Sequence, residues 1–64
     1  MHENHQPFTD REKEIVAFVK QEYTDLMISK KLGISKRTVE THLKNIRLKG
    51  GVTSRVGVAA LKID

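Results

Sequence analysis

Gly33 and Ser35, two residues apart, constrain this chain more than any other feature. Ahead of them Ile28 and Leu32 stand four apart. Behind them Val39, Leu43 and Ile46 follow at spacings of four and three. Both spacings line apolar side chains along one face of a helix. A glycine ends a helix readily because it accepts the left-handed conformation, and a serine begins one by accepting a hydrogen bond from a first-turn N–H. Two amphipathic helices therefore meet across a turn of about three or four residues centred on Gly33, the arrangement of a helix-turn-helix.

The rest of the chain extends this reading. Thr9 followed by Glu12 is a capping box, and Asp10, Glu12 and Glu14 complement the positive end of a helix dipole. Ile15, Val16, Phe18 and Val19 carry the apolar spacing of that first helix, and Phe8 stands ready to fold onto the same core. Thr24 caps a second helix after a short break. Gly50-Gly51 ends the third, and Thr53 or Ser54 caps a fourth. No strand signal competes. The expected fold is all-α: four helices at about 10–21, 25–32, 36–49 and 55–63, in one domain over 8–64 behind a flexible tail at 1–7. Leu26 and Met27 flank the buried stripe of helix two, either as partly buried residues or as a docking patch.

A 64-residue chain buries only about 60% of its unfolded surface, too little to shell a deep catalytic cleft. It has no cysteine, which removes disulfides, thiolate catalysis and Cys-based zinc sites. No apolar run approaches the ~18 residues of a membrane helix, so no membrane association is expected, and the default location is the cytoplasm. In the tail, His2 and Glu3 are followed by His5, one residue too early for a helical H-E-x-x-H metal motif. With no nucleophile–base pair elsewhere, the chain reads as a non-enzyme with no metal and no cofactor.

Charge is divided unevenly. Residues 1–29 carry three cations against six carboxylates. Residues 30–55 carry eight cations against Glu40 alone, a net +7. A focused basic patch is the footprint of a polyanion. The major groove of B-DNA, about 12 Å wide, accepts one helix. Helix three has the apolar face to anchor it and the cationic face to enter. Ser35, Lys36, Arg37 and Thr38 gather first-turn N–H groups, helix dipole and two cations at one end, which suits a phosphate oxygen. Glu40, Thr41 and Lys44 share a face. Lys44 can donate to guanine, Glu40 can accept from cytosine N4, and the Thr41 methyl can meet that of thymine. His42 adjoins them, either as a phosphate donor or as a packing histidine bonded to backbone. Arg47 points outward with the phosphate set.

Read in order, Phe8-Thr9-Asp10-Arg11-Glu12-Lys13-Glu14-Ile15-Val16, Ile28-Ser29-Lys30-Lys31-Leu32-Gly33-Ile34-Ser35, Thr38-Val39-Glu40-Thr41-His42, Ile46, Lys49, Gly51-Val52 and Ser54-Arg55 resemble the LuxR/GerE-type DNA-binding domain over residues 8–63. The resemblance implies a four-helix domain of bacterial transcription regulators with helix three as recognition helix. It implies base contacts at Glu40, Thr41 and Lys44, and phosphate contacts around Lys36, Arg37 and Thr38 and at Ser54 and Arg55. It also implies homodimers on repeated half-sites. Besides double-stranded DNA, the expected partners are a second copy through helix four, an N-terminal receiver or sensor domain, and RNA polymerase. Glu22 stands where the family has glycine, so the first break is expected to be built differently. Gly50 stands where the family has leucine, which predicts a loose junction between helices three and four.

Helix four carries its own dimer signal. Val56, Val58, Ala59, Ala60, Leu61 and Ile63 cover more than one face, and a helix apolar on most sides needs a second partner, either a second copy or, as the alternative, the first helix or a sensor domain. Val56, Ala59, Ala60 and Ile63 are the expected dimer contacts. The nearest alternative within DNA binding is region 4 of a sigma factor, which shares the R-E-x-E and L-G-I-S signals. From another class, a helical adaptor could bind an acidic partner through residues 30–55.

Overall fold

A computed structural model of the chain describes residues 7–62. The tail histidines and Ile63 lie outside the described residues. Four helices follow one another: α1 (Asp10–Lys20), α2 (Asp25–Leu32), α3 (Lys36–Gly50) and α4 (Arg55–Ala59). All four N-caps come from hydroxyls. Thr9 accepts from the Glu12 N–H, Thr24 from Met27, Ser35 from Thr38 and Ser54 from Gly57. The capping box of α1 closes both ways, with the Thr9 N–H donating to Glu12 Oε1 at 2.8 Å.

Three helices end by one device. After α2, Gly33 turns left-handed (φ 70°) and the Ile34 N–H reaches back to the Ser29 carbonyl. After α3, Gly51 does the same (φ 68°) and Val52 reaches Arg47. After α1 the left-handed residue is Glu22 (φ 66°), with Tyr23 N–H donating to the Phe18 carbonyl at 3.0 Å. The first break is thus built in the same way as the others, contrary to the expectation from the missing glycine. The Phe18 and Tyr23 rings stack across the turn with centroids 4.8 Å apart, the apolar contact that such a helix end favours. That contact offsets the steric cost of a side chain at positive φ, about 1 kcal/mol. Glu22→Gly is therefore expected to stabilise the domain by about 1 kcal/mol and raise the melting temperature by about 4–8 °C. A thermal melt that stays put would mean that the glutamate carries no strain there.

The core is Ile15, Val16 and Val19 from α1, Ile28 from α2, Val39, Leu43 and Ile46 from α3, and Val58 from α4. α3 packs against all three other helices, and α1 also packs against α4. Phe8, Leu32, Ile34, Val52, Ala59 and Leu61 close the margins.

Two sequence expectations change at the α3–α4 junction. Helix four stops at Ala59 and does not run on to residue 63. The Lys20 ammonium on α1 donates to the carbonyls of Ala59 and Leu61, at 2.9 and 2.6 Å, and the Leu61 N–H tightens onto Val58. The chain then leaves the helix and Leu61 turns inward. Gly50 is helical and does not have positive φ. A Cβ placed on it would lie 2.9 Å from Leu61 Cδ2. Leu61 already fills the space that a leucine at position 50 would need, so the junction is closed from the other side. Gly57 likewise serves the fold itself, since a Cβ there would meet Val52 Cβ at 2.8 Å.

Candidate nucleic-acid interface

The core-facing stripe of α3 is Val39, Leu43, Ile46 and Gly50, at spacings of four, three and four. A shift of two residues rotates a position by about 200° around a helix. The opposite stripe is therefore Arg37, Thr41, Lys44 and Leu48, and all four are exposed. Two of the three expected base readers, Thr41 and Lys44, sit at its centre. Glu40 is exposed on the neighbouring stripe with Arg47, which is half-buried. His42 is half-buried on the other flank.

At the start of α3 the Ser35 hydroxyl holds the Thr38 N–H at 3.0 Å and bonds the Thr38 hydroxyl at 2.9 Å. That leaves the first-turn N–H groups of Lys36 and Arg37, with both cationic side chains exposed beside them. Arg37 also belongs to the outward stripe, one turn ahead of Thr41, so it bridges the phosphate set and the base set.

The basic segment does not act as one patch. Lys49 turns inward, to Glu12 Oε1 at 2.7 Å and the Pro7 carbonyl at 3.3 Å. Arg55 reaches from α4 to Asp25 Oδ1 at 2.6 Å and to the Tyr23 carbonyl. Arg55 was expected at a phosphate, yet it ties α4 to the start of α2. Ser54 is engaged as the α4 cap. The other six cations of the segment lie on the two helices of the helix-turn-helix, Lys30 and Lys31 on α2 and Lys36, Arg37, Lys44 and Arg47 on α3. Glu12 is buried. Burial pushes its carboxyl pKa up, but the Lys49 ammonium and the Thr9 N–H and hydroxyl outweigh that, and its pKa falls below the ordinary carboxylate value.

Of the expected dimer residues, Val56 is 79% exposed, Ala60 is exposed, and Ala59 is half-buried against the core. Val58 is fully buried. The surplus apolar face of α4 is narrower than its composition suggested. Val56 lines an open groove of about 710 Å³ with Tyr23, Leu26, Lys36 and Arg55. Leu26 and Met27 are about half exposed. Leu48 is the residue of the outward α3 stripe that the sequence expectations left out. Its signal was available in the same spacing rule, counted from the outward side. Among the described residues no cluster of His, Cys, Asp or Glu could hold a metal ion, and no helix is long and apolar enough to cross a membrane.

Four short helices around one core, with the third presenting a cationic stripe away from it, define a helix-turn-helix DNA-binding domain. The model of the luxR family of bacterial regulatory proteins (GerE) matches residues 6–61. The chain belongs to that family, which decides against the sigma-factor reading. The chain is 41% identical over 64 residues to a protein described as the probable transcriptional regulatory protein SgaR of Hyphomicrobium methylovorum, covering 95% of this chain and 30% of that protein. It is 34% identical over 62 residues to the transcriptional regulatory protein MctR of Rhizobium johnstonii, covering 97% of this chain and 29% of the relative. In structure it is similar to the response regulator ChrA of a heme-sensing two-component system, with a TM-score of 0.83 and 35% identity over 89% of this chain and 28% of that one. The chain spans less than a third of the length of each of these proteins.

Proposed function

We propose that the domain binds double-stranded DNA in the cytoplasm, in a sequence-specific manner, by laying α3 in the major groove to regulate transcription. The single observation that carries this reading is the outward stripe of α3, which sets Arg37, Thr41 and Lys44 directly opposite a fully packed core face. Ser35, Lys36, Arg37 and Thr38 hold phosphates at the helix start, with His42 and Arg47 on its flanks. Thr41 and Lys44 read base edges, and Glu40 beside them rejects sites without a cytosine amine. Ser54 and Arg55 approach a phosphate only if Arg55 leaves Asp25. Two copies sit on repeated half-sites through α4, where exposed Val56 and Ala60 are the available contacts. Receiver or sensor input and contact with RNA polymerase are proposed by analogy with the longer relatives, of which this chain spans less than a third.

The test is salt. The domain is expected to bind unrelated duplexes with an affinity that falls steeply as salt rises, because each neutralised phosphate releases counterions. Lys36→Ala should weaken all duplexes alike and reduce the slope of log K against log salt by about 0.9. No affinity for unrelated duplex would favour the adaptor reading instead. For the dimer, Val56→Glu should spare one-copy binding and abolish cooperative binding to paired half-sites. Cooperativity that survives the charge would place the contact elsewhere.

A further inference from the structure

Leu48 is 72% exposed, whereas the other large apolar residues along α3, Val39, Leu43 and Ile46, are at most 4% exposed. It occupies the last place of the outward stripe, in register with Arg37, Thr41 and Lys44. Nothing in the domain's own fold covers it there. Its neighbourhood selects what can. Arg37 and Lys44 share its stripe, and Lys36 and Arg47 stand beside that stripe on the same helix, so an occupant must be anionic overall and still offer an apolar spot to one leucine. A DNA major groove does both, because its one apolar feature is the 5-methyl group of thymine.

We infer that Leu48 is a specificity-determining residue that packs against a thymine methyl, at the end of the stripe that Thr41 and Lys44 begin. The inference rests on the placement of α3 in the groove proposed above. It carries a register. Thr41 and Leu48 are seven residues apart, which is about 10 Å along a helix rising 1.5 Å per residue. Base pairs rise about 3.4 Å. The thymine that Leu48 senses therefore lies about three base pairs from the one that Thr41 senses, and α3 runs along the groove over most of its length.

The experiment starts from the duplex that the wild-type domain selects out of a random pool. Each thymine is replaced in turn by deoxyuridine, which removes the 5-methyl and nothing else. Affinities are measured for the wild type, Leu48→Ala and Thr41→Ala, with a thermal melt to verify that each variant is folded. One replacement is expected to weaken the wild type about three- to fivefold, the worth of one buried methyl, and to leave Leu48→Ala unchanged. A second, about three base pairs away, should behave in the same way toward Thr41→Ala. The proposal is overturned if no thymine in the selected site behaves so, or if every replacement weakens the wild type and Leu48→Ala equally. Either result leaves specific DNA binding intact. Failure to select any duplex, with no affinity for random DNA, brings down the groove placement itself.

Discussion

Glu12→Ala is expected to bring this domain to the edge of unfolding at room temperature. The carboxylate is buried, holds the Lys49 ammonium at 2.7 Å and closes the capping box on the Thr9 N–H. Removing one partner of a buried ion pair costs about 3–5 kcal/mol, since the other charge stays behind unpaired. The Lys49 side chain remains 19% exposed, and solvent screening takes the cost below that range, to about 2–3 kcal/mol. Loss of the reciprocal cap adds up to about 1 kcal/mol. A core of this size supplies only about 3–5 kcal/mol in total. A thermal melt should move down by more than about 10 °C. Glu12→Gln/Lys49→Met keeps the cap and leaves no charge stranded, so it should recover most of the loss. A double variant as unstable as Glu12→Ala would assign the effect to packing.

The same pair sets a pH dependence. The folded pKa of Glu12 lies below its ordinary value, so the fold favours the charged form. That contribution is complete above the ordinary carboxylate range and is lost as pH falls through the folded pKa. Stability should decline on acidification below about pH 5, and the decline should be shallower in Glu12→Gln. Parallel acid titrations of the two proteins by circular dichroism would settle the sign, and equal slopes would remove Glu12 from the account.

Lys44→Ala is expected to cost about 1–3 kcal/mol on the preferred duplex and much less on random DNA. Lys44 stands exposed at the centre of the outward stripe, one turn beyond Thr41 and about two turns from the helix start where phosphate contacts gather. A cation that reads guanine loses its worth where no guanine is presented, whereas a phosphate contact is lost on every sequence. The ratio of specific to random affinity, measured at one salt concentration, separates the two. An equal loss on both would move Lys44 into the phosphate set and leave base readout to Thr41 and Glu40.

Much of this molecule is local in origin, and so could be read directly. Helix starts are legible because a hydroxyl three residues before a first-turn N–H makes its hydrogen bond without help from elsewhere. Thr9, Thr24, Ser35 and Ser54 all cap as their positions imply. The α3 core face was equally plain, because Val39, Leu43 and Ile46 repeat with the helix itself. From these came the four helices, the helix-turn-helix and the candidate readers Thr41 and Lys44.

What the tertiary structure decided is everything that joins residues far apart in the chain. Lys49 and Arg55 count as basic-patch residues in sequence. Folding turns them toward Glu12 and Asp25, 37 and 30 positions away, and no periodicity announces such a pair. Gly50 looked like a missing leucine until Leu61, brought round by the Lys20 clamp on the end of α4, was found in its place. Glu22 looked incompatible with a left-handed turn, yet it takes one, and the Phe18 and Tyr23 rings on either side of it stack. Caps and stripes depend on hydrogen bonds and spacings within a few residues, so one stretch of sequence specifies them. Charge pairing, cavity filling and tolerated strain depend on which surfaces meet, and that is determined only once all four helices share one core.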